Sequence, residues 1–119
     1  PILFMSWPYK NKPEMQEMLE KEFFKASKLN NLRLIPAGQA FLYINKNFPN
    51  INLYTEDLRH PSKEGTYLAA LMVFTSLSNK SPIGNTFMMG LDPEVAEILQ
   101  KVAWKTYENF QIRVMNSDL

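Results

Sequence analysis

No cysteine occurs in the 119 residues, which excludes a disulfide framework and thiolate metal sites. The compartment stays open, because secreted bacterial proteins also do without cysteine. Histidine occurs once. That leaves only carboxylates for a metal, and Glu56-Asp57 is too thin a cluster to hold one. Neither sign of charge is in excess: 13 basic residues face 12 acidic ones, for a net +1. Nothing in this balance steers the chain toward nucleic acid or an anionic membrane surface. No apolar run approaches the ~20 residues that a spanning helix needs, so no membrane span is expected. Repeats, low-complexity tracts, linkers and a signal-peptide pattern are missing too. The opening Pro1-Ile2-Leu3-Phe4-Met5 has no initiator methionine and reads as the middle of something.

What is present reads as one domain over 1–119. Ile2 to Trp7 is a short apolar run stopped by Pro8, expected as a buried strand. Asn11-Lys12-Pro13 offers a helix start, followed at helical spacing by Met15, Met18, Leu19 and Phe23, and Asn30-Asn31 ends it. Leu32 to Ile35 is a second strand, closed by Pro36. Ala37, Ala40, Phe41, Ile44 and Phe48 mark a second amphipathic helix that stops before Pro49. Ile51 to Tyr54 is a doubtful extended piece. Lys63 to Leu77 is apolar nearly all round, the mark of a buried helix. Asp92-Pro93-Glu94 opens the last helix, whose stripe is Val95, Ile98, Leu99, Val102 and Phe110. Met88-Met89 is expected to pack against it.

Alternating strands and helices imply an α/β fold with a parallel sheet covered by helices. Parallel sheets are buried on both faces and need several strands. Two strands with four helices are too little sheet to close a three-layer sandwich. The chain therefore reads either as a small, mostly helical domain or as the C-terminal part of a larger sheet.

The chemistry centres on Asp57-Leu58-Arg59-His60-Pro61-Ser62. An Asp three residues before a His in one turn can accept the proton of one imidazole nitrogen. This leaves the other nitrogen free to take a proton from a nucleophile. Pro61 restricts His60 to extended backbone and so aims the ring. The competing interpretation is a surface turn with Asp57 capping and His60 solvated. Ser62 stands where a helix cap belongs, which accounts for it better than a role as nucleophile. Arg59 could meet an anionic substrate, although an exposed Arg in a turn is usually just solvated. Trp7, Pro8 and Tyr9 follow the first strand, where they could wall a cleft. Ordinary packing under a loop explains them better.

The block Asp57-Leu58-Arg59-His60-Pro61-Ser62-Lys63-Glu64-Gly65-Thr66-Tyr67-Leu68-Ala69-Ala70 resembles the last conserved block of the SGNH (GDSL-type) hydrolases. In that family an Asp-x-x-His turn supplies two members of a Ser-His-Asp triad and an Ala-rich helix follows. Leu34-Ile35-Pro36-Ala37-Gly38 resembles the family's final strand, Phe48 to Tyr54 the approach to the turn, and Lys80-Ser81-Pro82-Ile83-Gly84 a loop of a bacterial branch. The resemblance covers residues 1 to about 84. It implies the C-terminal part of a three-layer α/β/α (flavodoxin-like) fold. The activity implied is an esterase or acyl hydrolase acting on a small-molecule or carbohydrate ester, with His60 as general base, Asp57 as its orienting carboxylate, and no cofactor. A secreted or periplasmic setting is slightly favoured on the same grounds.

The departure from the family is large. No Gly-Asp-Ser or Gly-x-Ser occurs in the chain, and no residue matches the oxyanion-hole blocks. Alone, the polypeptide is expected to be inactive, with its partner being the missing N-terminal part of the same domain or another chain. The alternative is a non-catalytic binding or interaction module with a hydrolase-like fold.

Overall fold

Capping residues mark where most helices end. The computed structural model describes residues 1–116. In chain order it contains β1 (Ile2–Phe4), α1 (Met15–Asn30), β2 (Arg33–Ile35), α2 (Ala37–Asn47), α3 (Lys63–Ser78) and α4 (Pro93–Met115). The helix α1 closes on Asn31, whose φ of 51° is the left-handed cap that Asn tolerates. Ser62 starts α3 by accepting the Gly65 N–H at 3.1 Å. Asp92 starts α4 by accepting the Glu94 N–H at 2.8 Å, with Pro93 in the first turn.

The result is a mixed α/β domain with four helices and a small parallel sheet of two strands. Register pairs Ile2 with Arg33, Leu3 with Leu34 and Phe4 with Ile35. The expected Ile2–Trp7 strand is shorter because its partner runs out: Pro36 lacks an N–H and leads straight into α2. One further rung forms, Met5 N–H to Ile35 O at 3.0 Å, and Met5 O then accepts the Gly38 N–H. An alanine Cβ at Gly38 would lie 2.2 Å from Ser6 O, so only glycine lets α2 start against the end of β1. Likewise β2 begins at Arg33 rather than Leu32. Ile51–Tyr54 is not a strand; Tyr54 makes a single antiparallel bridge to Pro61.

The main core joins Ile35, Phe41 and Ile44 to Leu68, Met72, Leu99 and Ala103, drawing on β2, α2, α3 and α4, with Met88 and Met89 half-buried against it. On the other side of the sheet, Met5 and Leu34 pack with Phe110 and, from α1, Phe23 and Phe24. Two expectations about helix faces are corrected. First, α3 is not buried all round: Phe74 and Leu77 are exposed, because its packing partners cover only one side. Second, α1 buries Gln16 and Ser27 while Met18 lies in solvent, because the helix is rotated to bring Gln16 beside Gly38. The turn at Pro13 precedes α1, which starts at Met15.

Buried Gln100 ties the long loop before α4. Its Nε2 donates to Tyr67 Oη and Asn85 O, and its Oε1 accepts the Gly84 N–H. Among the described residues β1 has a strand partner on one side only. No helix among them is long and apolar enough to cross a membrane.

Candidate functional site

The segment 54–61 is a closed turn at the carboxyl end of the sheet. Thr55 N–H donates to His60 O at 2.8 Å, Leu58 N–H to Thr55 O at 3.0 Å, and Ser62 N–H to Leu53 O at 2.8 Å. Leu58 has φ of 62°, a conformation a leucine adopts only when its surroundings impose it. That reversal sends the next two backbone N–H groups back toward Asp57.

Asp57 gathers four donors. Its Oδ1 accepts from Thr55 Oγ1 at 2.8 Å and from the Arg59 and His60 N–H groups at 2.9 Å each. Its Oδ2 meets His60 Nδ1. These bonds hold the carboxyl well below the usual carboxylate range, the His60 ring contributing most, then the His60 and Arg59 N–H groups and the Thr55 hydroxyl. Asp57 is therefore an anion at neutral pH that fixes the imidazole through Nδ1. No described residue hydrogen-bonds His60 Nε2. The imidazole side chain is 78% exposed, so this nitrogen is open to a reacting group.

Residues far away in sequence clamp the turn. Trp7 stacks on Phe41 with centroids 4.2 Å apart, and its Nε1–H donates to Arg59 O at 2.9 Å. Lys10 N–H donates to Leu58 O at 2.9 Å. The Arg59 guanidinium lies 4.7 Å over the Tyr9 ring. Buried Tyr54 donates its hydroxyl to Pro8 O at 2.8 Å and accepts from Asn45 Nδ2 at 3.1 Å. Burial raises its phenol pKa, with the Asn45 bond opposing, so the group stays a neutral donor. Trp7, Pro8 and Tyr9 thus pack beneath the turn that carries Asp57 and His60.

Ser62 is fully engaged in structure. Besides capping α3, its hydroxyl donates to Asn52 O at 2.7 Å. Gly65, one turn further on, lets α3 approach the preceding segment: an alanine Cβ there would lie 2.1 Å from Leu53 O.

Sequence reasoning brought Asp57 and His60 together but passed over Thr55, Tyr54 and Lys10. The signal for Thr55 was local, a hydroxyl two residues before an Asp in a turn. Those for Tyr54 and Lys10 depend on tertiary contacts. Among the described residues no three His, Asp or Glu side chains form a group able to hold a metal. The chain matches no family model, no curated protein and no solved structure.

Proposed function

We propose that Asp57 and His60 are the orienting carboxylate and general base of a serine ester hydrolase of the SGNH type. The observation that carries this is the bond from His60 Nδ1 to Asp57 Oδ2, with Nε2 unbonded and exposed. In the chemistry proposed, neutral His60 Nε2 takes the proton of a serine hydroxyl as its oxygen attacks an ester carbonyl. The protonated ring then gives that proton to the departing alcohol. Water hydrolyses the acyl-serine with His60 again as base, while Asp57 stabilises the imidazolium.

The serine and oxyanion donors come, in this proposal, from another part of the same domain or from a second chain. That part would pair in parallel with the open edge of β1 and extend the sheet toward a flavodoxin-like three-layer fold. The substrate proposed is a small-molecule ester, an acetylated carbohydrate among the possibilities.

The test is hydrolysis of p-nitrophenyl acetate by the full gene product. Activity is expected to fall by about 10⁴-fold in both His60→Ala and Asp57→Asn, in line with loss of triad members elsewhere. Activity indifferent to both substitutions would rule out the assignment. A binding module is the second proposal, favoured by the lack of any Gly-x-Ser in these residues. Complete inactivity of the full product supports it.

A further inference from the structure

The two backbone N–H groups that hold Asp57 Oδ1 belong to peptides whose carbonyls are themselves held by the segment after β1. The Leu58–Arg59 peptide gives its N–H to Asp57 at 2.9 Å, and its carbonyl accepts the Lys10 N–H at 2.9 Å. The Arg59–His60 peptide gives its N–H to Asp57 at 2.9 Å, and its carbonyl accepts the Trp7 indole N–H at 2.9 Å. A peptide bonded at both ends cannot tilt without loss of both bonds, and each bond polarises the other. The Trp7 ring is fixed in turn. It stacks on Phe41 of α2 with centroids 4.2 Å apart and meets Phe4 of β1 edge-on at 6.1 Å. Leu58 has φ of 62°, a conformation that leucine avoids, so the turn is held closed against its local preference.

We propose that Trp7 is a positioning residue for His60. By holding Arg59 O, its indole N–H keeps the strained turn closed and the Asp57 carboxylate facing His60 Nδ1. The consequence is the tautomer of the ring. With the proton on Nδ1, Nε2 carries the lone pair that can take a proton. An imidazole released from Asp57 is free to carry its proton on Nε2 instead, where it cannot serve as a base. The Arg59 N–H and the Thr55 hydroxyl still reach Asp57 without Trp7, so the effect of its loss is partial. Because Trp7 packs on Phe4, the same bond ties the position of the ring to the end of β1. The catalytic meaning of this role rests on the reading of His60 as a general base, whereas the coupling of Trp7 to the ring is a property of the chain alone.

Nitrogen NMR of the chain labelled in histidine tests the coupling, and His60 is the only histidine, so its ring signals need no assignment. The spectra are taken at about pH 9, where an imidazole is neutral and its two tautomers are distinguished. The parent chain is expected to hold the proton on Nδ1. Trp7→Phe keeps an aromatic ring against Phe41 but has no N–H to give Arg59 O. It should raise the ratio of Nε2–H to Nδ1–H by roughly threefold or more, the equivalent of one hydrogen bond. Leu58→Asn in the Trp7→Phe chain should bring the ratio back toward the parent value. Asparagine tolerates the left-handed conformation, which Asn31 and Asn79 already adopt in this chain. If Trp7→Phe fails to fold, the Trp7 indole is replaced by benzothiophene, a ring of the same shape without an N–H, in a Trp104→Phe background, and the same outcomes decide. An unchanged ratio without the N–H, a parent ring protonated on Nε2, or a shift that Leu58→Asn does not reduce would each overturn the proposal. Ester hydrolysis enters none of these readings, so a parent protein without activity refutes the hydrolase assignment and leaves the coupling standing.

Discussion

Asp57 is tied to its surroundings through both oxygens, and the consequence is a stability term with a defined sign. Its folded-state pKa is depressed below the ordinary 3.8. The stabilisation from the ionised carboxylate is therefore complete above 3.8 and is lost as pH falls through the depressed value. Asp57→Asn keeps an acceptor oxygen for the three Oδ1 donors but removes the charge. Urea unfolding of the two proteins should differ by a constant amount above about pH 5, and the gap should shrink progressively as the pH falls below that. A gap that already closes between about pH 7 and 5 would contradict the depressed carboxyl. The same substitution presents an amide N–H to His60 Nδ1, forcing the proton onto Nε2. The proposed base is thereby disabled without loss of the turn.

At the scale of elements, the start of α3 carries the site's geometry. Ser62 caps the helix and bonds Asn52 O, so Ser62→Ala should lower unfolding free energy by about 1–2 kcal/mol in chemical denaturation. Gly65→Ala meets backbone rather than a movable side chain, and should cost about 2–3 kcal/mol or more. An alanine there as stable as glycine would show that the helix can withdraw from Leu53. Both residues were visible in the sequence, Ser62 as a cap and Gly65 as part of the family-like block. Helix ends at Asn31, Ser62 and Asp92 were legible for the same reason: capping is local chemistry. The faces of α1 and α3 were not. Periodicity shows that a side is apolar, but which side is covered depends on neighbours, as Met18, Phe74 and Leu77 show in solvent.

At the scale of the whole molecule, each of the two strands has a strand partner on one side only among the described residues, which leaves β1 an outer edge. Met5 uses its backbone groups toward β2 and α2, so by alternation those of Ile2 and Phe4 face away from β2. Open edges and exposed apolar side chains such as Met18 and Phe74 favour association. Sedimentation velocity is expected to show concentration-dependent assembly of the chain, reduced in Ile2→Lys, which puts a charge on that edge. A strictly monomeric chain at all concentrations would argue that the edge is protected. The sheet's small size was legible in the sequence, since only two apolar runs qualify as strands. The support of the candidate site was not, because its clamps reach from Trp7 and Lys10 to a turn about fifty residues away. That long reach has an optical consequence. The chain has two tryptophans, and Trp7 is the one whose indole N–H is bonded to the turn. In a Trp104→Phe background, the emission of Trp7 becomes a direct gauge of whether the turn is docked. A red shift and loss of intensity on titration with denaturant, earlier than the loss of helical circular dichroism, would mark the turn as the first part of the molecule to let go.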